Sequence, residues 1–205
     1  MSQEYLLGVD IGTYSSKGVL VEKEGNIVAQ YVVPHGMDMP QPGYFEHDAE
    51  GVWWHDFREI VKNLLIESKI NPEQIGGIGI SAIGSCVLPL TEDGQPLRPA
   101  ILYGIDTRAT QEIEYLEKIL GREEIFRQSG MYLSSQASGP KILWIRNHEP
   151  KFSKKPDGFS LARHISYISS PGKQLLMLIL LVVLLLCLIC KICVGEKMWP
   201  LILPL

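Results

Sequence analysis

Between Leu7 and Val21 one apolar run closes on Asp10, a turn of small residues follows through Gly12 and Thr13, and a second apolar run opens at Val19. Two apolar runs this close, separated by Gly and small polar residues, form a β-hairpin with its acidic residue at the tip. A turn so poor in side chains presents several backbone N–H groups together, an arrangement suited to phosphate oxygens. Asp10 repels phosphate but can hold a divalent cation that bridges to it, directly or through water. The pattern differs from a Walker loop, whose glycines open a helix and carry a Lys-Ser/Thr pair. Taken alone, the segment also reads as an ordinary hairpin whose Asp and Gly satisfy the turn. Lys17 has the same two readings, a partner for a terminal phosphate or a solvated strand residue.

The next 130 residues read as α/β. Tyr5 to Asp10, Gly18 to Glu22 and Ile27 to Val33 are expected as three successive strands, with the second turn at Lys23 to Asn26. Asp48 is an N-cap candidate, and Trp53, Phe57, Ile60, Val61, Leu64 and Leu65 then recur at helical spacing. Asn71-Pro72 is expected to break that helix. Ile75 to Ser81 reads as a buried strand whose glycines admit close backbone approach. A short run from Val87 to Leu90 precedes a turn at Glu92-Asp93-Gly94. Glu112 to Leu120 is expected as an amphipathic helix, and Lys141 to Arg146 as the start of another. Trp53 and Trp54 are assigned to the core and its boundary rather than to a stacking platform.

The far end of the chain is of another kind. Every residue from Leu175 to Cys190 is apolar, and only Lys191 interrupts before Ile192-Cys193-Val194. Leu and Met favour helix, so 175–194 is expected to be helical. At about 1.5 Å per residue it approaches the ~30 Å hydrocarbon layer as a borderline transmembrane span. Its place late in the chain excludes a signal peptide. The net charge of −4 and the absence of a Lys/Arg stripe argue against nucleic acid. Cys86 stands alone in the body, as suits a reducing cytosol. Cys187, Cys190 and Cys193 sit in the apolar run without a fourth ligand, which argues against zinc.

Several ordered segments together resemble the FGGY carbohydrate kinases, members of the actin-like ATPase group. Asp10-Ile11-Gly12-Thr13 is similar to that family's first phosphate loop. Gly43-Tyr44-Phe45-Glu46-His47-Asp48 followed by Val52-Trp53-Trp54 resembles its G-x-x-E-x-D…W-W segment, and Gly77 to Ser81 its next strand. Leu97-Arg98-Pro99-Ala100-Ile101-Leu102 with Asp106-Thr107-Arg108-Ala109 resembles its R-P-A-I-L-W-x-D-x-R block. Pro140 to Trp144 with His148-Glu149-Pro150 resembles a further helix. The nearest flavour is xylulokinase-like, and the likeness stops near Phe152.

The resemblance implies a ribonuclease-H-like N-terminal lobe over 1–152, incomplete, followed by a linker (153–174), the apolar helix (175–194) and a tail (195–205). It implies ATP and Mg as cofactors, a small sugar or polyol as substrate and a cytoplasmic body. Asp10, Gly12, Thr13, Tyr14, Ser15 and Lys17 then bind the nucleotide, with Asp10 at the metal. Ser85, Asp106, Arg108 and Gln136 take substrate-facing positions. Ser85 stands where the xylulokinase subgroup carries His, which weighs against xylulose. Each has a plainer reading: Ser85 satisfies a turn, and Asp106 pairs with Arg108. Phosphoryl transfer needs a carboxylate to accept the hydroxyl proton, and the family's base lies beyond the point of divergence. In 153–205 only Asp157 and Glu196 are acidic. No catalytic residue is therefore assigned, and the chain is expected to be inactive by itself. The alternatives are a membrane-anchored binding module that uses 175–194 as its anchor, and a frameshifted product whose true continuation is lost after residue 152.

Overall fold

The computed structural model describes residues 4–91 and 95–153, and they divide into two compact units. The first comprises residues 4–37 and 48–83. The second comprises residues 38–47 and the described residues from 84 onward.

In the first unit β1 (Tyr5–Ile11), β2 (Ser15–Glu22) and β3 (Ile27–Pro34) form an antiparallel meander, and β5 (Ile75–Ala82) joins β1 in parallel. The order across the sheet is β3-β2-β1-β5. A parallel partner needs a crossover, supplied by α1 (His55–Ser68). Strand alternation sends Leu7, Val9, Ile11, Ser16, Gly18, Leu20 and Ala29 to the buried face. Helix α1 packs there with Phe57, Ile60 and Leu64, after Trp53 at 1% exposure. Trp54 stacks on Phe57 at 5.7 Å between ring centres, at the edge of this core. Gly18 sets the approach. A Cβ there would lie 2.1 Å from Ile60 Cγ2, so the helix rests on bare backbone.

The three expected strands and the helix are present, each with shifted limits. Asp48 caps as expected, its side chain accepting from Glu50 N, but a wide turn over Ala49–Trp54 precedes α1. Pro72 does not end the helix. It stops at Ser68, where Lys69 adopts a left-handed φ of 56°, and Pro72 instead opens a single 3-10 turn capped by Asn71. Nor is β5 buried. Among the described residues it has a neighbour only in β1, and Ile78 stays 42% exposed.

In the second unit, two-residue strands β4 (Glu46–His47) and β6 (Ala100–Ile101) pair antiparallel, and Val87 bridges to Ile101. Around them lie α2 (Thr110–Leu120), α3 (Arg122–Ser129), α4 (Ser138–His148) and the short α5 (Pro150–Ser153). Val87, Ile101, Leu116, Ile142 and Ile145 form the core with Trp144. The Val87 to Leu90 run forms isolated bridges rather than a strand. The turn at Glu92 to Gly94 and the helix over 175–194 lie outside the described residues, as do Cys187, Cys190 and Cys193. No described helix is long and apolar enough to cross a membrane.

Candidate functional site

The hairpin turn is closed by its own backbone. Gly12 N donates to Ser15 O at 3.1 Å, and His35 N donates to Tyr14 O at 2.9 Å. A Cβ on Gly12 would stand 2.8 Å from Ser15 O, closer than any side chain can sit, so only glycine permits this turn. The N–H groups of Thr13 and Tyr14 take no part in the turn's backbone bonding. Tyr14 is 66% exposed. Asp10, exposed, stands opposite Lys17 across the hairpin, also exposed, on the face away from α1. Both border an open trough of about 600 Å³ whose floor includes Gly8 and Gly79. All six residues expected at the nucleotide thus fall in or beside one turn.

Backbone N–H groups outside the turn's own bonding suit phosphate oxygens. Asp10 supplies one free carboxylate, and Mg²⁺ commonly takes one or two carboxylates beside water and substrate phosphates. No cluster of three metal-ligating side chains occurs among the described residues. The exposed Asp10 carboxylate would fit as the protein contact of a Mg²⁺ held chiefly by nucleotide and water.

Beneath the turn lies a polar cluster that no motif signals. Asp56, 2% exposed, accepts from Ser16 Oγ at 2.7 Å, and its Oδ2 lies 2.7 Å from His35 Nδ1. His35 Nε2 lies 3.2 Å from the Gly12 carbonyl oxygen. The three residues are 19 and 21 positions apart in sequence and meet only when α1 folds over the hairpin.

The four residues expected at the substrate all lie in the second unit, in different surroundings. Asp106 is fully buried. It accepts from Phe45 N (2.7 Å) and Arg108 N (3.1 Å) and pairs with Arg108 Nη2 at 2.8 Å. Arg108 also pairs with Glu46 through Nη1 at 2.8 Å, and its guanidinium lies 4.3 and 5.0 Å from the ring centres of Tyr44 and Trp144, which meet edge to face. Glu46 pairs in addition with Arg98, which reaches Glu149 at 3.0 Å. Burial works against the Arg108 charge, yet hydrogen bonds to Asp106 and Glu46 prevail and raise its pKa above the ordinary guanidinium value. Ser85 is 6% exposed and accepts from Ser138 Oγ at 2.9 Å. Gln136 is exposed, on the loop before α4.

One polar residue there escaped the sequence reading. Lys141 is 1% exposed, and its ammonium donates to Leu102 O (2.6 Å) and Ser135 O (2.7 Å). It lines a hollow of about 200 Å³ together with Asp106, Thr110 and Ser134. Its place in the apolar helix sequence Pro140 to Trp144 could have marked it, since a Lys inside such a run needs a partner.

The mixed sheet, with its antiparallel meander, parallel fourth strand and glycine-tight hairpin turn, resembles the N-terminal lobe of the carbohydrate kinases related to the actin-like ATPases. Comparison with known proteins agrees. The model of the FGGY family of carbohydrate kinases, N-terminal domain, matches residues 5–168, and the chain belongs to that family. That match runs past Phe152, where the motif likeness ends. The xylulose kinase of Staphylococcus xylosus is 33% identical over 159 residues, covering 78% of this chain and 32% of the relative. The glycerol kinase of Staphylococcus epidermidis is 35% identical over 148 residues, 71% of this chain and 29% of the relative. This chain thus spans about a third of the length of these relatives. Among solved structures, the xylulose kinase from Rhodospirillum rubrum matches with a TM-score of 0.66 at 29% identity, covering 72% of this chain and 30% of that one. Plasmodium falciparum glycerol kinase with ADP matches at 0.62 and 25% identity, covering 75% and 31%.

Proposed function

We propose that the described residues form the phosphate-binding half of an ATP-dependent kinase that phosphorylates a hydroxyl of a sugar or polyol. One observation carries this reading: Gly12 lets the turn close so tightly that the Thr13 and Tyr14 amides remain free of the turn's own bonding, beside the exposed carboxylate of Asp10. Relatives named for xylulose and for glycerol match over the same region, which supports a polyhydroxylated acceptor without choosing one. When bound, Mg²⁺ would neutralise phosphate charge next to Asp10. The protein's own part is to orient the phosphates through backbone N–H groups, with Lys17 available to a terminal oxygen.

The acceptor's hydroxyl must lose a proton to a carboxylate, and the buried acids are committed elsewhere. Asp56 serves Ser16 and His35, Asp106 and Glu46 serve arginines, and Glu112 accepts from Asn147 Nδ2 at 3.2 Å. On this reading no buried acid among the described residues serves as the base, and the chain is expected to bind Mg-ATP weakly and to show no turnover. Calorimetry on the purified chain is expected to give a millimolar dissociation constant for Mg-ATP. A coupled assay with pentuloses, hexoses and glycerol is expected to show no sugar-dependent ADP release above background. Micromolar affinity, or turnover with any acceptor, contradicts this reading.

A further inference from the structure

His35 grips the hairpin turn twice. Its backbone N–H donates to Tyr14 O, and its ring, 7% exposed, stands between Asp56 and Gly12. Nδ1 is 2.7 Å from Asp56 Oδ2, and Nε2 is 3.2 Å from Gly12 O. A carboxylate and a carbonyl are both acceptors only. A ring with one N–H satisfies one of them and turns a lone pair toward the other. A ring protonated on both nitrogens donates to both. The remaining contacts of Asp56 hold it in place. Ser16 Oγ donates to Oδ2 at 2.7 Å from β2, and Oδ1 lies 3.3 Å from Nδ1 of the exposed His55 on α1 itself.

The Gly12 carbonyl and the Thr13 N–H belong to one planar trans peptide and point in opposite directions. Drawing the carbonyl inward to His35 therefore turns the Thr13 N–H outward. We infer that His35 and Asp56 are positioning residues for the phosphate turn: the ring, held by Asp56, fixes the Gly12-Thr13 peptide with its N–H toward the nucleotide. This role rests on the reading of the turn as a phosphate site. Neither residue touches the phosphates, and neither belongs to the motif that marks the turn.

The test is NMR on the full chain. The imidazole resonances of His35 are expected to move in Asp56→Asn, because that carboxylate holds the ring. Mg-ATP is expected to move the Thr13 and Tyr14 amide signals in the wild type. In His35→Gln and Asp56→Asn, the sheet's amide pattern away from the turn is expected to persist while Mg-ATP binding weakens about fivefold or more, the worth of one hydrogen bond. His35 imidazole resonances that ignore Asp56→Asn overturn the inference, as does wild-type affinity in both variants. Should one variant lose its sheet dispersion, the other decides. If Mg-ATP leaves the turn amides of the wild type unmoved, the phosphate reading falls and the positioning role falls with it. The ring spectrum separately reports whether the clamp exists.

Discussion

Arg108 joins two acids and two aromatic rings in the second unit, and the consequence of removing it follows from what remains. With Arg108→Met, Asp106 keeps only backbone donors and Glu46 keeps only Arg98. An uncompensated buried charge costs about 3–5 kcal/mol, so urea denaturation is expected to show a loss of that size. A loss below about 1 kcal/mol, the usual worth of an exposed pair, would mean that the network is solvated. The raised pKa of Arg108 sets the pH sense. Its stabilisation is complete below the ordinary guanidinium value and is lost only as pH rises through the higher folded value. At this scale the sequence was partly legible. The i, i+2 spacing of Asp106 and Arg108 made a local pair one of two readings, whereas Glu46, 62 positions from Arg108, comes from a different motif segment and only the fold unites them. The same holds for Ser16, His35 and Asp56, which have no shared spacing.

Helix α1 on the meander is the element on which the turn depends, because Asp56 reaches the hairpin from its first turn. Gly18→Ala places a methyl 2.1 Å from Ile60 Cγ2 and 3.2 Å from Leu64 Cδ1. Overpacking of this kind costs about 1–3 kcal/mol. In an Ile60→Ala background the 2.1 Å clash is gone and only the 3.2 Å contact with Leu64 remains, so the added cost of Gly18→Ala is expected to shrink. The cycle then yields a coupling of at least about 0.5 kcal/mol, read from thermal or urea unfolding. Additive effects would show that α1 does not rest on Gly18. Elements with a full period of apolar residues were readable in advance: the meander by alternation, and α1 by Trp53, Phe57, Ile60 and Leu64. Those without one were not. Helix α3 (Arg-Glu-Glu-Ile-Phe-Arg-Gln-Ser) buries only Ile125, and two-residue strands β4 and β6 are too short to alternate. Strand β5 was misread because Ile75, Ile78 and Ile80 look like a central strand, while among the described residues the sheet leaves it at an edge.

Over the whole molecule, the family and the order of its motifs were legible because five segments occur in sequence, each with a physical role. The substrate was not legible. Its candidate residues lie in the second unit, two of them, Asp106 and Arg108, tied to buried partners, and relatives with different acceptors share this region. Half a nucleotide site should contact half a nucleotide. Phosphorus and proton NMR of Mg-ATP, recorded with and without the chain, separate the two halves. The β- and γ-phosphate resonances are expected to shift and broaden with added protein, and a Gly12→Ala chain, whose turn cannot close, should abolish the effect. The adenine protons should receive no saturation from the protein. Adenine saturation with unmoved phosphates, or phosphate shifts that survive Gly12→Ala, would contradict a phosphate-binding hairpin.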